Sequence, residues 1–69
     1  MKSLGENLRE LRVLSGLSQK EFAEKIQTTQ QRVSEWELDN YEPSLISVVK
    51  ILRVLDITFE ELIDGVDFN

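Results

Sequence analysis

Apolar residues recur every three or four positions along most of this chain, the spacing of helices that bury one face. Leu4, Leu8 and Leu11, extended by Val13 or Leu14, stripe a first segment; Phe22, Ala23 and Ile26 a second; Val33 and Trp36 a third. These stripes predict one shared core. The segment from Leu45 to Leu55 differs, because Leu45, Ile46, Val48, Val49, Ile51, Leu52, Val54 and Leu55 place apolar side chains nearly all round a helix. No stretch shows the alternation of a strand, so the pattern predicts an all-α fold.

Capping chemistry sets the boundaries. Ser3 with Glu6, Ser18 with Glu21 and Thr58 with Glu61 each have the spacing of a reciprocal capping box, in which a hydroxyl and a carboxylate satisfy two orphan amides. Ser44, after the single proline Pro43, caps a fourth helix, and Thr29 a fifth. Gly16 and Gly65 stand where the first and last helices should stop. The expected helices cover residues 4–15, 19–26, 30–38, 45–55 and 59–64.

A chain of 69 residues is expected to form a single domain over residues 1–69, of a size at which one core holds a fold only marginally. It has neither cysteine nor histidine, so a disulfide and the usual zinc ligands are excluded and no metal is expected. Five short helices can hardly enclose a fourth helix that is apolar on every side. Part of that surface is therefore expected to meet a second copy through Ile46 and Val49, joined by Phe59, Ile63, Val66 and Phe68. The start of the chain is charged, and no apolar run approaches the ~20 residues that span a bilayer. A cytoplasmic protein without membrane contact is the expectation.

Net charge is −5, which argues against generic affinity for a polyanion. Its placement changes that picture. Residues 1–37 carry equal numbers of cations and carboxylates, so the whole excess lies from residue 38 onward, from Asp39 to Asp67. That acidic half is either a solvated face or a device that turns one end of the domain away from DNA.

The two helices of residues 18–37 carry the candidate chemistry. With about 100° per residue, Val33 and Trp36 point inward while Gln31, Ser34, Glu35 and Leu38 point outward, with Gln30 on the flank at the helix start. A glutamine amide both donates and accepts, and pairs with adenine N6 and N7 in the major groove. Gln30 and Gln31 are therefore candidate base readers. Glu35 either accepts from cytosine N4 or pairs within the helix with Gln31 or Arg32; Leu38 is placed for a thymine methyl or a dimer partner. Candidate phosphate ligands are Gln19, at the start of the second helix, together with Arg9, Arg12, Lys20, Arg32 and Asn40.

These features occur together at a recognisable spacing. Ser18-Gln19, Ala23, Val33, Trp36-Glu37, Pro43-Ser44-Leu45 and the closing Ile57-Thr58-Phe59-Glu60-Glu61-Leu62 resemble the lambda repressor/Cro, or XRE, family of helix-turn-helix proteins along nearly the whole chain. The resemblance implies a compact five-helix DNA-binding domain whose helices two and three form the helix-turn-helix, usually a homodimeric transcriptional regulator on a roughly palindromic operator. It assigns Gln19 to a phosphate and to orienting Gln30, places Gln31, Ser34 and Glu35 toward bases, and implies an Arg12–Glu37 bridge between the first and third helices. Two departures stand out. Gln27 occupies the turn where the family commonly has glycine, and Asp39-Asn40-Tyr41-Glu42 replaces a segment often rich in glycine and cations.

The expected function is a sequence-specific double-stranded DNA-binding transcriptional regulator, a repressor by resemblance, acting as a homodimer. The alternative is an antitoxin-like or other protein-interaction module on the same fold, motivated by the acidic second half and the apolar fourth helix. No nucleophile-and-base constellation stands out, so an enzyme is not expected. No cofactor and no small-molecule ligand are implied.

Overall fold

The structure, a computed structural model, describes residues 2–68. Its five helices are α1 (Leu4–Leu14), α2 (Gln19–Lys25), α3 (Gln30–Glu37), α4 (Leu45–Leu55) and α5 (Phe59–Ile63). Every helix starts where the sequence places its cap, and four stop one residue early. The five cap hydroxyls, Ser3, Ser18, Thr29, Ser44 and Thr58, each accept from the amide three residues on. The boxes at Ser18–Glu21 and Thr58–Glu61 are reciprocal. The box expected at Ser3–Glu6 is one-sided: the amide of Glu6 donates to Ser3 Oγ at 3.1 Å, and the second cap comes from elsewhere, as the amide of Gly5 donates to Asp39 Oδ1 at 2.9 Å. In the α2 box, bonding to the backbone and side chain of Ser18 holds the Glu21 carboxyl below its ordinary range. Because the folded value is depressed, that contribution is complete above the ordinary carboxylate range and is lost as pH falls through the lowered value.

Four helices end in one geometry. The residues after α1, α2, α3 and α4, namely Gly16, Gln27, Asp39 and Asp56, are left-handed, with φ of 76°, 60°, 61° and 53°. In each, two amides fold back on the last turn; after α2, Gln27 donates to Glu24 O at 3.2 Å and Thr28 to Ala23 O at 2.9 Å. This is the Schellman arrangement, which satisfies carbonyls the helix leaves open. Asp tolerates the left-handed region better than most side chains, and Gln lacks that advantage. Gln27→Gly is therefore expected to raise stability by about 0.5–1 kcal/mol, read as a higher midpoint in urea; an unchanged or lower midpoint would show that the turn carries no strain.

The core is Leu8, Phe22, Ala23, Ile26, Val33, Trp36, Ile51, Leu55 and Leu62, flanked by half-buried Leu4, Leu11, Leu17, Val48, Leu52, Val54 and Ile57. Around it α2 packs on α3, and α1 packs on both α3 and α5. One expectation is corrected: Val13 and Leu14 do not extend the α1 stripe but stand 55% and 82% exposed. The inward position one turn after Leu8 belongs to Arg12, which is buried; at about 100° per residue the next two side chains swing outward.

The crossing of α1 and α3 is close enough to require glycine. A Cβ on Gly5 would lie 2.4 Å from the carbonyl oxygen of Trp36 and 2.7 Å from that of Glu37. Next to it, buried Asn7 donates through Nδ2 to the carbonyls of Leu62 at 2.6 Å and Asp64 at 3.0 Å, capping the end of α5. Val66 pairs with Lys2 in an isolated parallel bridge, which joins the two ends of the chain.

On α4, Ile51 and Leu55 face the core, whereas Leu45, Ile46 and Val49 are exposed, as is Phe59 at the start of α5. The helix is thus sheltered on one side only.

Candidate nucleic-acid interface

The α2–α3 unit is short and firmly seated. Phe22, Ala23 and Ile26 from α2 meet Val33 and Trp36 from α3, and the turn between them is closed by the Schellman bonds and the Thr29 cap. The outer surface of α3 therefore stands on a rigid base.

Gln30 and Gln31 lie exposed in the first turn of α3, following the exposed cap Thr29. Ser34 and Glu35, expected to point outward, are half-buried. Beyond the helix, the amides of Asn40 and Tyr41 both donate to Glu35 O, at 2.9 and 3.4 Å, folding the chain back onto the last turn. Glu35 also lies 3.8 Å from Arg32 Nε, which gives its carboxylate an in-helix partner. Leu38 closes the helix and is exposed. A groove of about 570 Å³ runs beside this face, walled by Gln31, Arg32 and Glu35 on one side and Tyr41, Ser44 and Ser47 on the other.

Behind the face lies a buried polar cluster. Arg12 and Glu37 are 7% and 6% exposed and form a two-bond ion pair, Nε to Oε2 at 2.6 Å and Nη2 to Oε1 at 3.1 Å. The third guanidinium nitrogen, Nη1, donates to Leu17 O at 2.7 Å. Through these three bonds Arg12 holds α1, α3 and the start of the helix-turn-helix together. Glu37 Oε1 accepts a further bond from Gln19 Nε2 at 3.0 Å. The side chain of Gln19 is thereby fixed at the start of α2 by Glu37. Nothing in the local pattern around Gln19 signals that tether, which spans 18 residues. Among the described residues no buried side-chain nitrogen or oxygen lacks a partner.

The remaining expected phosphate ligands, Arg9, Lys20, Arg32 and Asn40, are all exposed. Asp39 accepts the amide of Gly5 through its carboxylate and so serves the packing of α1 on α3. Of the expected dimer residues, Ile46, Val49, Phe59 and Phe68 are exposed and Ile63 and Val66 half-buried; Val66 and Phe68 line a cleft with Trp36, Tyr41 and Pro43, near the joined chain ends. No helix among the described residues is long and apolar enough to cross a membrane.

Comparison with known proteins places this architecture. A search among curated proteins found no match. Among solved structures, the P22 c2 repressor in complex with a synthetic operator superposes with a TM-score of 0.86 at 20% identity, over 94% of this chain and 98% of that one, a likeness of fold. The restriction-modification controller protein C.AhdI from Aeromonas hydrophila superposes with a TM-score of 0.81 at 36% identity, over 86% of both chains. The helix-turn-helix family profile matches residues 8–62, from the buried Leu8 of α1 to the buried Leu62 of α5. With that span and the C.AhdI likeness, the chain belongs to the helix-turn-helix family of the lambda repressor/Cro (XRE) type, a family of DNA-binding regulators and not of enzymes.

Proposed function

We propose that this protein is a sequence-specific double-stranded DNA-binding transcription regulator that works as a homodimer, a repressor by family analogy, with α3 in the major groove. The observation that carries this reading is the exposed pair Gln30 and Gln31 at the start of a helix whose base is locked by the Arg12–Glu37 pair. A recognition helix touches base edges with its first residues, and a glutamine amide matches adenine N6 and N7. Ser34 and Glu35 stand one turn further along, as flanking readers. Gln19, already held by Glu37, keeps one amide hydrogen for a phosphate, while Arg9, Lys20, Arg32 and Asn40 supply the outer contacts.

Dimerisation is supported by dimensions and by surface. The domain measures 31 × 23 × 21 Å, and it contains one recognition helix. Successive major grooves on one side of B-DNA lie ~34 Å apart. Reading two of them takes two copies, and Ile46, Val49 and Phe59 present apolar surface for their contact. That same surface is what a protein-interaction role would use.

Selection of bound duplexes from a random library tests the reading. A pseudo-palindrome with half-sites one helical turn apart is expected. Gln30→Ala and Gln31→Ala should each relax preference at one position per half-site, by about 1–3 kcal/mol of discrimination; unchanged preference in both variants would remove them as readers. With three exposed cations per protomer near phosphates, the slope of log affinity against log salt should be no steeper than about −5 for the dimer. Failure to select any sequence, with a stable protein partner recovered from cells, would favour the interaction-module reading.

A further inference from the structure

The exposed leucine of α1 lies on a groove with no role in reading DNA. Half-buried Leu11 forms its floor between α1 and α5, Leu14, 82% exposed, stands beside it, and Glu10, Glu60, Glu61 and Asp64 rim a space of about 440 Å³. A second depression of about 400 Å³ adjoins it, sharing Glu10 and Leu14 and adding Val13, 55% exposed, and Arg9. No residue of α2 or α3 lines either one. Apolar side chains this exposed in so small a domain, set among four carboxylates against the cations Lys2 and Arg9, have the composition of an interaction surface.

Its charge selects the occupant. The single cation in the α1–α5 groove, Lys2, is paired with Glu10 and also donates to Asn7 Oδ1, so it does not offset the other wall. Glu61 accepts the Thr58 amide through one oxygen, while the carboxylates of Glu60 and Asp64 have no ion-pair partner among the described residues. Phosphates are repelled here, so nucleic acid is disfavoured. A second copy of this chain would bring the same carboxylates into opposition with these, a like-charge contact that penalises self-association. A partner with lysine or arginine flanking an apolar residue at helical spacing answers both the floor and the rim.

We propose that this α1–α5 groove is a docking site for a basic amphipathic helix of another protein, filled without occupying the base-reading residues. Leu14 and Val13 supply the apolar contact, and Glu60, Asp64 and Glu61 receive the partner's cations. Arg9, at the edge of the adjoining depression, keeps the phosphate contact proposed for it, and no residue of α2 or α3 lines either space, so occupation leaves Gln30 and Gln31 accessible.

The test uses the whole chain, labelled with nitrogen-15, and a synthetic helical peptide bearing leucines on one edge and lysines on the flanks. Saturable amide shifts are expected along α1 and α5, with α3 unaffected. Leu14→Ser should weaken binding at least about tenfold, the burial of one leucine, and Glu60→Lys with Asp64→Lys should abolish it; both positions are exposed, so the fold is spared. A peptide with the same leucines but glutamates on the flanks should not bind. Shifts centred on Ile46 and Val49, equal binding of the acidic peptide, an unaltered affinity in Leu14→Ser, or concentration-dependent shifts of α1 without peptide would overturn the proposal. Selection of duplexes by the peptide-saturated protein separates this site from the DNA reading: loss of DNA selectivity in the free protein refutes that reading alone, whereas loss only on adding peptide refutes the independence of the two sites.

Discussion

Glu37→Ala is expected to lower folding stability by about 3–5 kcal/mol, because it strands a buried guanidinium. Arg12 is 7% exposed and donates three bonds, two of them to Glu37; the variant leaves only the bond to Leu17 O. A domain of this length has a total stability of about 3–10 kcal/mol, so the variant loses about a third or more of it, a result read directly in urea or thermal melts. The pair itself is a weak source of net stability, since both charges had to leave water. Replacing both partners, Arg12→Met with Glu37→Leu, is therefore expected to fall within about 1 kcal/mol of the parent or above it. That double variant isolates the second role of Glu37. Its fold should be intact while Gln19 has lost the 3.0 Å tether that fixes its amide, so DNA affinity should drop without a change in melting behaviour. A Glu37→Ala variant less than about 1 kcal/mol below the parent would mean that the guanidinium finds water and that the cluster is not the keystone of the α1–α3 crossing.

Ile46→Asp is expected to convert a dimer to a monomer and to reduce operator affinity at least about 100-fold. Two linked half-sites bind with an avidity that separate domains lack, typically by a factor of about 10²–10⁴. Ile46 is 68% exposed in the protomer, so a charge there does not disturb the core; in an apolar interface it would be an unpaired buried carboxylate. Phe59→Asp, 52% exposed at the start of α5, should behave alike. Sedimentation equilibrium across a concentration series gives the mass, and titration of the selected duplex gives the affinity. A parent that sediments as a monomer at all concentrations and still binds a two-half-site duplex cooperatively would place the contact on DNA alone. A variant whose mass and affinity match the parent would remove this face from the interface.

The helix boundaries were legible in the sequence because capping is local. Ser18, Thr29, Ser44 and Thr58 each meet an amide three residues away, and that spacing is written in the chain. The special conformation at Gln27 was signalled only by the family resemblance, which places glycine there, whereas helical periodicity set Gln31 outward and Gln30 on the flank at a helix start, where both are exposed. The inward stripe of α1 was misjudged only at its end. Hydrophobicity favours Val13 or Leu14 there, whereas the inward position is held by Arg12, whose burial depends on a carboxylate 25 residues away.

The contacts that no local pattern signals share that dependence on distant residues. Gly5 is required by the carbonyls of Trp36 and Glu37; Asn7 is held by the carbonyls at the end of α5; Asp39 faces the amide of Gly5; Gln19 is turned by Glu37; and the amides of Asn40 and Tyr41 return to the carbonyl of Glu35. Most of these contacts join residues 18 to 55 positions apart, and the return to Glu35 depends on how the chain turns after its helix. The sequence by itself determined where the helices begin, which face of α3 is polar, and that paired glutamines stand first upon it, since each follows from bonds and angles within one or two turns. The placement of α1 against α3 and α5 decided which polar residues are structural, which leucine is left exposed, and how the amide of Gln19 is aimed, because a side chain's role is set by the nearest neighbour in space once the helices have packed.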